Sequence, residues 1–128
     1  MVDQNSTQAW LDQGAEATIE PEQRIIDPHH HLWQRPQNDY LIPDLWRDTS
    51  SGHKVMMTVF VECGAEYRTD GPEEARSLGE TAFVAKQAEL SRNDPEQATI
   101  AGIVGKVDLR LPVPTLLGLL AQHRTMGQ

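Results

Sequence analysis

The 128-residue chain has no cluster of lysine or arginine, one cysteine and no long apolar run, and each absence removes a class of function. Eleven basic against nineteen acidic residues leave a net charge of −8. Nucleic acid is therefore not an expected partner, because phosphate binding needs a concentrated basic surface. The lone Cys63 excludes an internal disulfide framework and suits a reducing compartment, so a cytoplasmic setting is expected. The opening MVDQNSTQAWLDQGAEATIEPEQ has neither the basic nor the apolar region of a signal peptide. No window approaches the ~20 apolar residues of a membrane span, so no membrane association is expected. A chain of this length should form one small core and bury roughly 65% of its unfolded surface.

What is present has the rhythm of an α/β chain. Residues 1–23 read as a polar arm with a helical turn or two around Trp10 and Leu11, and residues 24–128 as the domain. A strand at Arg24 to Asp27 leads into IIDPHHHLW, followed by a Pro/Asn/Asp-rich loop and a short helix near Asp44 to Asp48. Val55 to Cys63, VMMTVFVEC, is a near-continuous apolar run, the pattern of a strand buried on both faces of a parallel sheet. Gly71-Pro72 with Glu73 and Glu74 opens a helix to about Ser91, with Ala75, Leu78, Ala82 and Phe83 as its buried stripe. Thr99 to Val107 makes a third buried strand, and a last helix covers Val113 to His123. The order predicts successive βα units building a parallel sheet. Three such strands cannot close a barrel, so an exposed sheet edge and self-association through it are expected.

The three consecutive histidines sit where that sheet would carry chemistry. Side chains alternate along a strand, so Asp27, His29 and His31 are expected on one side and Pro28, His30 and Leu32 on the other. Two imidazoles at i and i+2 can grip one metal ion. Pro28 cannot donate to a ladder and belongs near a strand end, which puts the pair at the carboxyl end of the first strand, where α/β barrels assemble active sites. With five histidines in the chain a His-x-His pair also arises by chance, so the bare spacing is weak evidence for a metal site.

IIDPHHHLW resembles the Asp-x-His-x-His opening of the metal-dependent hydrolases of the amidohydrolase superfamily, in particular its amidohydrolase-2 branch of sugar-acid lactonases and related decarboxylases. YLIPDLWRD, the turn at Ser51 to His53, TVFVECGAEYR and AGIVGKVDLR also look like successive segments of that branch, so the resemblance runs from about Ile25 to Leu111. It implies a (β/α)8 TIM barrel, with His29 and His31 as ligands of a divalent ion, zinc or manganese, and a small-molecule substrate. It also implies that the ion lowers the pKa of bound water from ~15.7 towards ~7 for attack on a lactone, cyclic ester or amide. The family draws further ligands, two histidines and an aspartate, from strands beyond the third. A barrel needs about 200 or more residues, so the chain reads as the amino-terminal part of such an enzyme or a truncated copy. The tail LPVPTLLGLLAQHRTMGQ matches the pattern least.

Other candidates carry two readings each. Glu62, at the carboxyl end of the second strand, is a substrate contact or partner of the histidines, or an ordinary strand-end acid. Tyr67 and Arg68, in the following loop, contact an anionic substrate or serve solubility. Asp27 orients an imidazole or caps the loop. His30 and Trp33 read as packing residues, and His53 and His123 as surface residues. No catalytic acid or base is identified. Two function classes follow: a metal-dependent hydrolase represented by its amino-terminal part, inactive alone, or a non-catalytic remnant or acidic interaction module.

Overall fold

The computed structural model describes residues 4–14 and 16–128, which form helices packed on a three-stranded parallel sheet. Strands β1 (Arg24–His30), β2 (Lys54–Val61) and β3 (Thr99–Val104) lie side by side in chain order, so β1 and β3 are both edges. The helices are α1 (Gln4–Leu11), α2 (Ile42–Thr49), α3 (Leu78–Ser91) and α4 (Val113–Met126), with short 3₁₀ turns at Asp12–Gly14 and Glu73–Ala75. The α/β class and the parallel sheet expected from the sequence are both present.

The core lies on one side of the sheet. Leu32, Phe60 and Ile100 from the sheet side meet Ile42 and Leu45 of α2 and Val84 and Ala88 of α3, with Tyr40, Trp46, Phe83 and Ile103 packed around them. Hydrogen bonds pin the layers: the Trp46 indole donates to the Ala98 carbonyl at 2.9 Å, and the Ile100 amide donates to the Ser91 hydroxyl at 3.0 Å. Helix α4 packs on α3.

The other side of the sheet is open. Ile26, Met57 and Val104 are 62%, 46% and 49% exposed, which corrects the expectation of strands buried on both faces. Only Thr58 and Phe60 of β2 are fully buried, because the described helices cover a single face. An apolar strand run marks what a sheet face can bury, and a partner layer decides whether it does.

Two further expectations need correcting. The helix opened by Gly71-Pro72 is a 3₁₀ turn at Glu73–Ala75, and α3 itself begins at Leu78. Its buried face holds Leu78, Thr81, Val84, Ala88 and Ser91, while Ala82 is exposed. Of the expected stripe, Leu78 is fully buried, Phe83 packs against the core, Ala75 is half-buried ahead of the helix, and only Ala82 faces solvent.

Strand β1 also runs further than expected, through Pro28 to His30, which an edge strand tolerates. Asp27 pairs with Thr58 and His30 with Phe60, so two residues of β1 are set against one of β2. This is a β-bulge. It breaks the expected alternation: by register Asp27 takes the side of Thr58, Phe60 and His30, and does not share a face with His31. Ile26, opposite Met57, lies on the open side.

Candidate functional site

The end of β1 presents the imidazoles in two different environments. His30 is 8% exposed, packs edge-to-face on Phe60 at 5.9 Å between ring centres, and neither of its ring nitrogens has a hydrogen-bond partner. Its burial holds its pKa below the ordinary histidine value. His29 is exposed and His31 half-buried, with ring centres 4.9 Å apart and planes at 86°. His29 and His31 are thus brought together while His30 is directed into the core.

A backbone group orients His31. Its Nδ1 lies 2.8 Å from the carbonyl oxygen of Val61, the last residue of β2. A carbonyl only accepts, so Nδ1 carries the proton and Nε2 keeps its lone pair free, the tautomer that metal-binding histidines adopt. Asp27 does not play that part: its Oδ1 accepts the His29 backbone N–H at 3.0 Å and closes a local turn.

The pair suits part of a metal site. A tetrahedral ion bonded at about 2.1 Å by two imidazole nitrogens holds the ring centres roughly 5 Å apart, and the observed separation fits. A closed site needs four protein ligands. Among the described residues, no group of three or more His, Cys, Asp or Glu gathers to hold an ion. Glu62 is at the same end of the sheet, directly after Val61, but does not join the histidines in such a group. Its carboxylate acts instead on Tyr67 and Cys63, helping to raise the pKa of both.

Tyr67 belongs to a separate feature. It lines a cavity of about 450 Å³ with Ser77, Lys106, Asp108 and Leu111 among its other walls. The Tyr67 hydroxyl is buried without a hydrogen-bond partner, and burial, with Glu80 and Glu62 nearby, pushes its pKa up to about 12. Neither Arg68 nor either candidate ligand lines this cavity. Arg68 is half-buried, and its backbone N–H donates to the Arg76 carbonyl at 2.9 Å. The five sequence candidates therefore fall into two places, the imidazole pair and the loop after β2.

Three residues were missed in the sequence, two that organise this loop and one that holds α4. Glu80 is 1% exposed, and its Oε1 accepts the amides of Cys63 at 3.0 Å and Ala65 at 2.7 Å, tying the loop to α3. Gly79 lets the loop backbone lie on the helix: a Cβ there would strike the Glu66 carbonyl oxygen and come within 2.7 Å of the Arg68 nitrogen. His123 is not the surface residue expected. It is half-buried, with Nδ1 2.8 Å from the Thr81 hydroxyl and Nε2 3.4 Å from that of Ser77, and so clamps α4 on α3. The Ser77 hydroxyl donates to the Lys106 carbonyl at 2.7 Å, so His123 has no Ser77 proton to accept and the two are not a nucleophile and its base. One signal pointed to Glu80: an acid in the first turn of a helix.

Partial burial, the leading cause, pushes the Cys63 thiol above its ordinary pKa, and the thiol donates to the Leu32 carbonyl at 3.6 Å. No described helix is long and apolar enough to cross a membrane. Comparison of the chain with protein-family models, with curated proteins and with solved structures finds no match.

Proposed function

We propose that this chain is the amino-terminal βα portion of a metal-dependent hydrolase of the amidohydrolase-2 type, built as a (β/α)8 barrel and acting on a lactone, cyclic ester or amide. The observation that carries this reading is the His31 imidazole, fixed by the Val61 carbonyl with Nε2 free and standing beside His29. Its support is the place of that pair: the carboxyl end of the first of three parallel strands, where barrel enzymes keep their chemistry. The open sheet face also suits the inner wall of a larger barrel. A bound divalent ion would supply Lewis acidity and an activated water. His29 and His31 would hold it, and Glu62, Tyr67 and Arg68 would contact a small-molecule substrate from the loop after β2. Cytoplasmic residence accompanies this reading.

The second reading is a non-catalytic interaction module, favoured by the uncovered Ile26, Met57 and Val104. Metal uptake separates the two. Zinc or manganese titrated into metal-stripped protein and followed by calorimetry should bind, with only background turnover of lactone, ester and amide panels, because two ligands and no proton-transferring carboxylate do not make a site. Absence of any metal uptake would leave the interaction module as the reading.

A further inference from the structure

Away from the imidazole pair, the cavity of about 450 Å³ between the loop after β2 and the segment after β3 has the size of a small-molecule pocket. We propose that it binds a free α-amino acid with an apolar side chain, whose carboxylate meets Lys106 and Tyr67 and whose ammonium group meets Glu73 and Glu74. The inference rests on the reading above only in taking Tyr67 as a ligand contact, and it needs neither the histidines nor an ion.

Three observations carry it. The first is that the walls are tied together. The Arg68 amide donates to the Arg76 carbonyl at 2.9 Å, which holds the loop after β2 to the turn that precedes α3. The Ser77 hydroxyl donates to the Lys106 carbonyl at 2.7 Å, which holds that turn to the segment after β3. Walls fixed in this way keep their shape without a ligand, so little has to be ordered on binding.

The second is that the lining carries unengaged groups of both signs. Among the described residues no acid pairs with the Lys106 ammonium and no base with the Glu73 or Glu74 carboxylate, whereas Asp108 is taken up by Arg110 at 2.8 Å. Tyr67 adds a buried hydroxyl that no protein group meets. A ligand with one anionic and one cationic group engages both sets, and a simple anion or amine engages only one. The third is that Val107 and Leu111 give the same cavity a half-buried apolar wall for an aliphatic side chain. Net charge points the same way: a chain of −8 repels a free anion and does not repel a zwitterion.

The test is isothermal titration calorimetry of the full chain, stripped of metal by a chelator, with L-leucine and three analogues that each lack one feature. These are 4-methylpentanoate without the ammonium group, 3-methylbutylamine without the carboxylate, and glycine without the side chain. The expected result is one leucine per chain and each analogue weaker by about tenfold or more, the factor that a charged hydrogen bond or a buried aliphatic side chain supplies. Lys106→Gln, and Glu73→Gln together with Glu74→Gln, should weaken leucine about tenfold, Tyr67→Phe about fivefold, and His29→Ala not at all. No saturable uptake of leucine, or equal affinity for leucine and any analogue, would overturn the assignment, and so would unaltered binding in Lys106→Gln. Zinc uptake by the unaltered protein decides the metal reading separately, so either can fail without the other. Should a variant fail to fold, the comparison of leucine with its analogues on the unaltered chain decides alone.

Discussion

The Nδ1 of His31 lies 2.8 Å from the carbonyl oxygen of Val61, so a side chain at the end of one strand is locked by the backbone at the end of the next. This bond leaves Nε2 unprotonated while the preceding residue, His30, turns into the core. Metal bound by the purified protein should therefore be lost on His29→Ala or His31→Ala and kept on His30→Ala. Elemental analysis of the three variants, with circular dichroism to verify folding, checks this; equal loss in all three would contradict the division into two environments.

Glu80 should matter more to stability than any exposed acid. Removing its carboxylate takes the acceptor from the part-buried amides of Cys63 and Ala65 and leaves a cavity at a buried position, so Glu80→Ala should cost about 2–3 kcal/mol and Glu80→Gln, which keeps an acceptor, about 1 kcal/mol. Urea unfolding measures both. Glu80→Gln should also bring the Tyr67 phenol down from its raised value in an ultraviolet pH titration, since the Glu80 charge is the second cause of that rise after burial.

Glycine in a helix usually loses to alanine, and here two positions should respond oppositely. Gly118→Ala in α4 meets nothing within 4 Å and should stabilise by about 0.5–1 kcal/mol. Gly79→Ala in α3 drives a methyl group into the loop backbone at Glu66 and Arg68 and should destabilise by about 2–3 kcal/mol. Thermal melts of the pair are sufficient to see the sign.

Docking of α4 should weaken in mild acid. Burial, the largest influence on His123, holds its folded-state pKa below the ordinary 6.5, although the Lys106 backbone and the Glu80 charge act the other way. Above about pH 6.5 the ring is neutral in both the folded and unfolded states, and its contribution is fully present. As the pH falls below that value the unfolded chain takes up the proton first, and stability is lost down to the folded-state pKa. Chemical denaturation at a series of pH values should show this slope in the native protein and a shallower one in His123→Gln.

The strands were legible because their signals are local: runs such as VMMTVFV and TIAGIV mark β2 and β3 to within three residues at either end. So was the histidine pair, since a spacing of two brings side chains together without help from the rest of the chain. Glu80, Gly79 and His123 were not legible, because each acts on a partner brought near only by folding: Glu80 on an amide 15 residues away, His123 on a hydroxyl 42 residues away. The face carrying Asp27 was misread because a bulge leaves no mark in a strictly alternating pattern. The open side of the sheet was misread because hydrophobicity reports what a residue favours and not what is there to cover it.

The extra residue in β1 has a consequence for how this segment can vary. The two residues between Asp27 and His30, Pro28 and His29, stand against the single Val59 of β2, so the strand changes phase there, with Ile26 and Asp27 paired before the break and His30 after it. Loss or gain of a single residue in that interval removes the phase change. Either the imidazoles keep their faces and Arg24 to Ile26 exchange theirs, or the first half holds and His29 and His31 turn inward while His30 is expelled. The count of residues from Asp27 to His31 is thus as much a part of this site as their identity. Insertions and deletions should be tolerated in the exposed loop at residues 34–39 and excluded a few positions earlier.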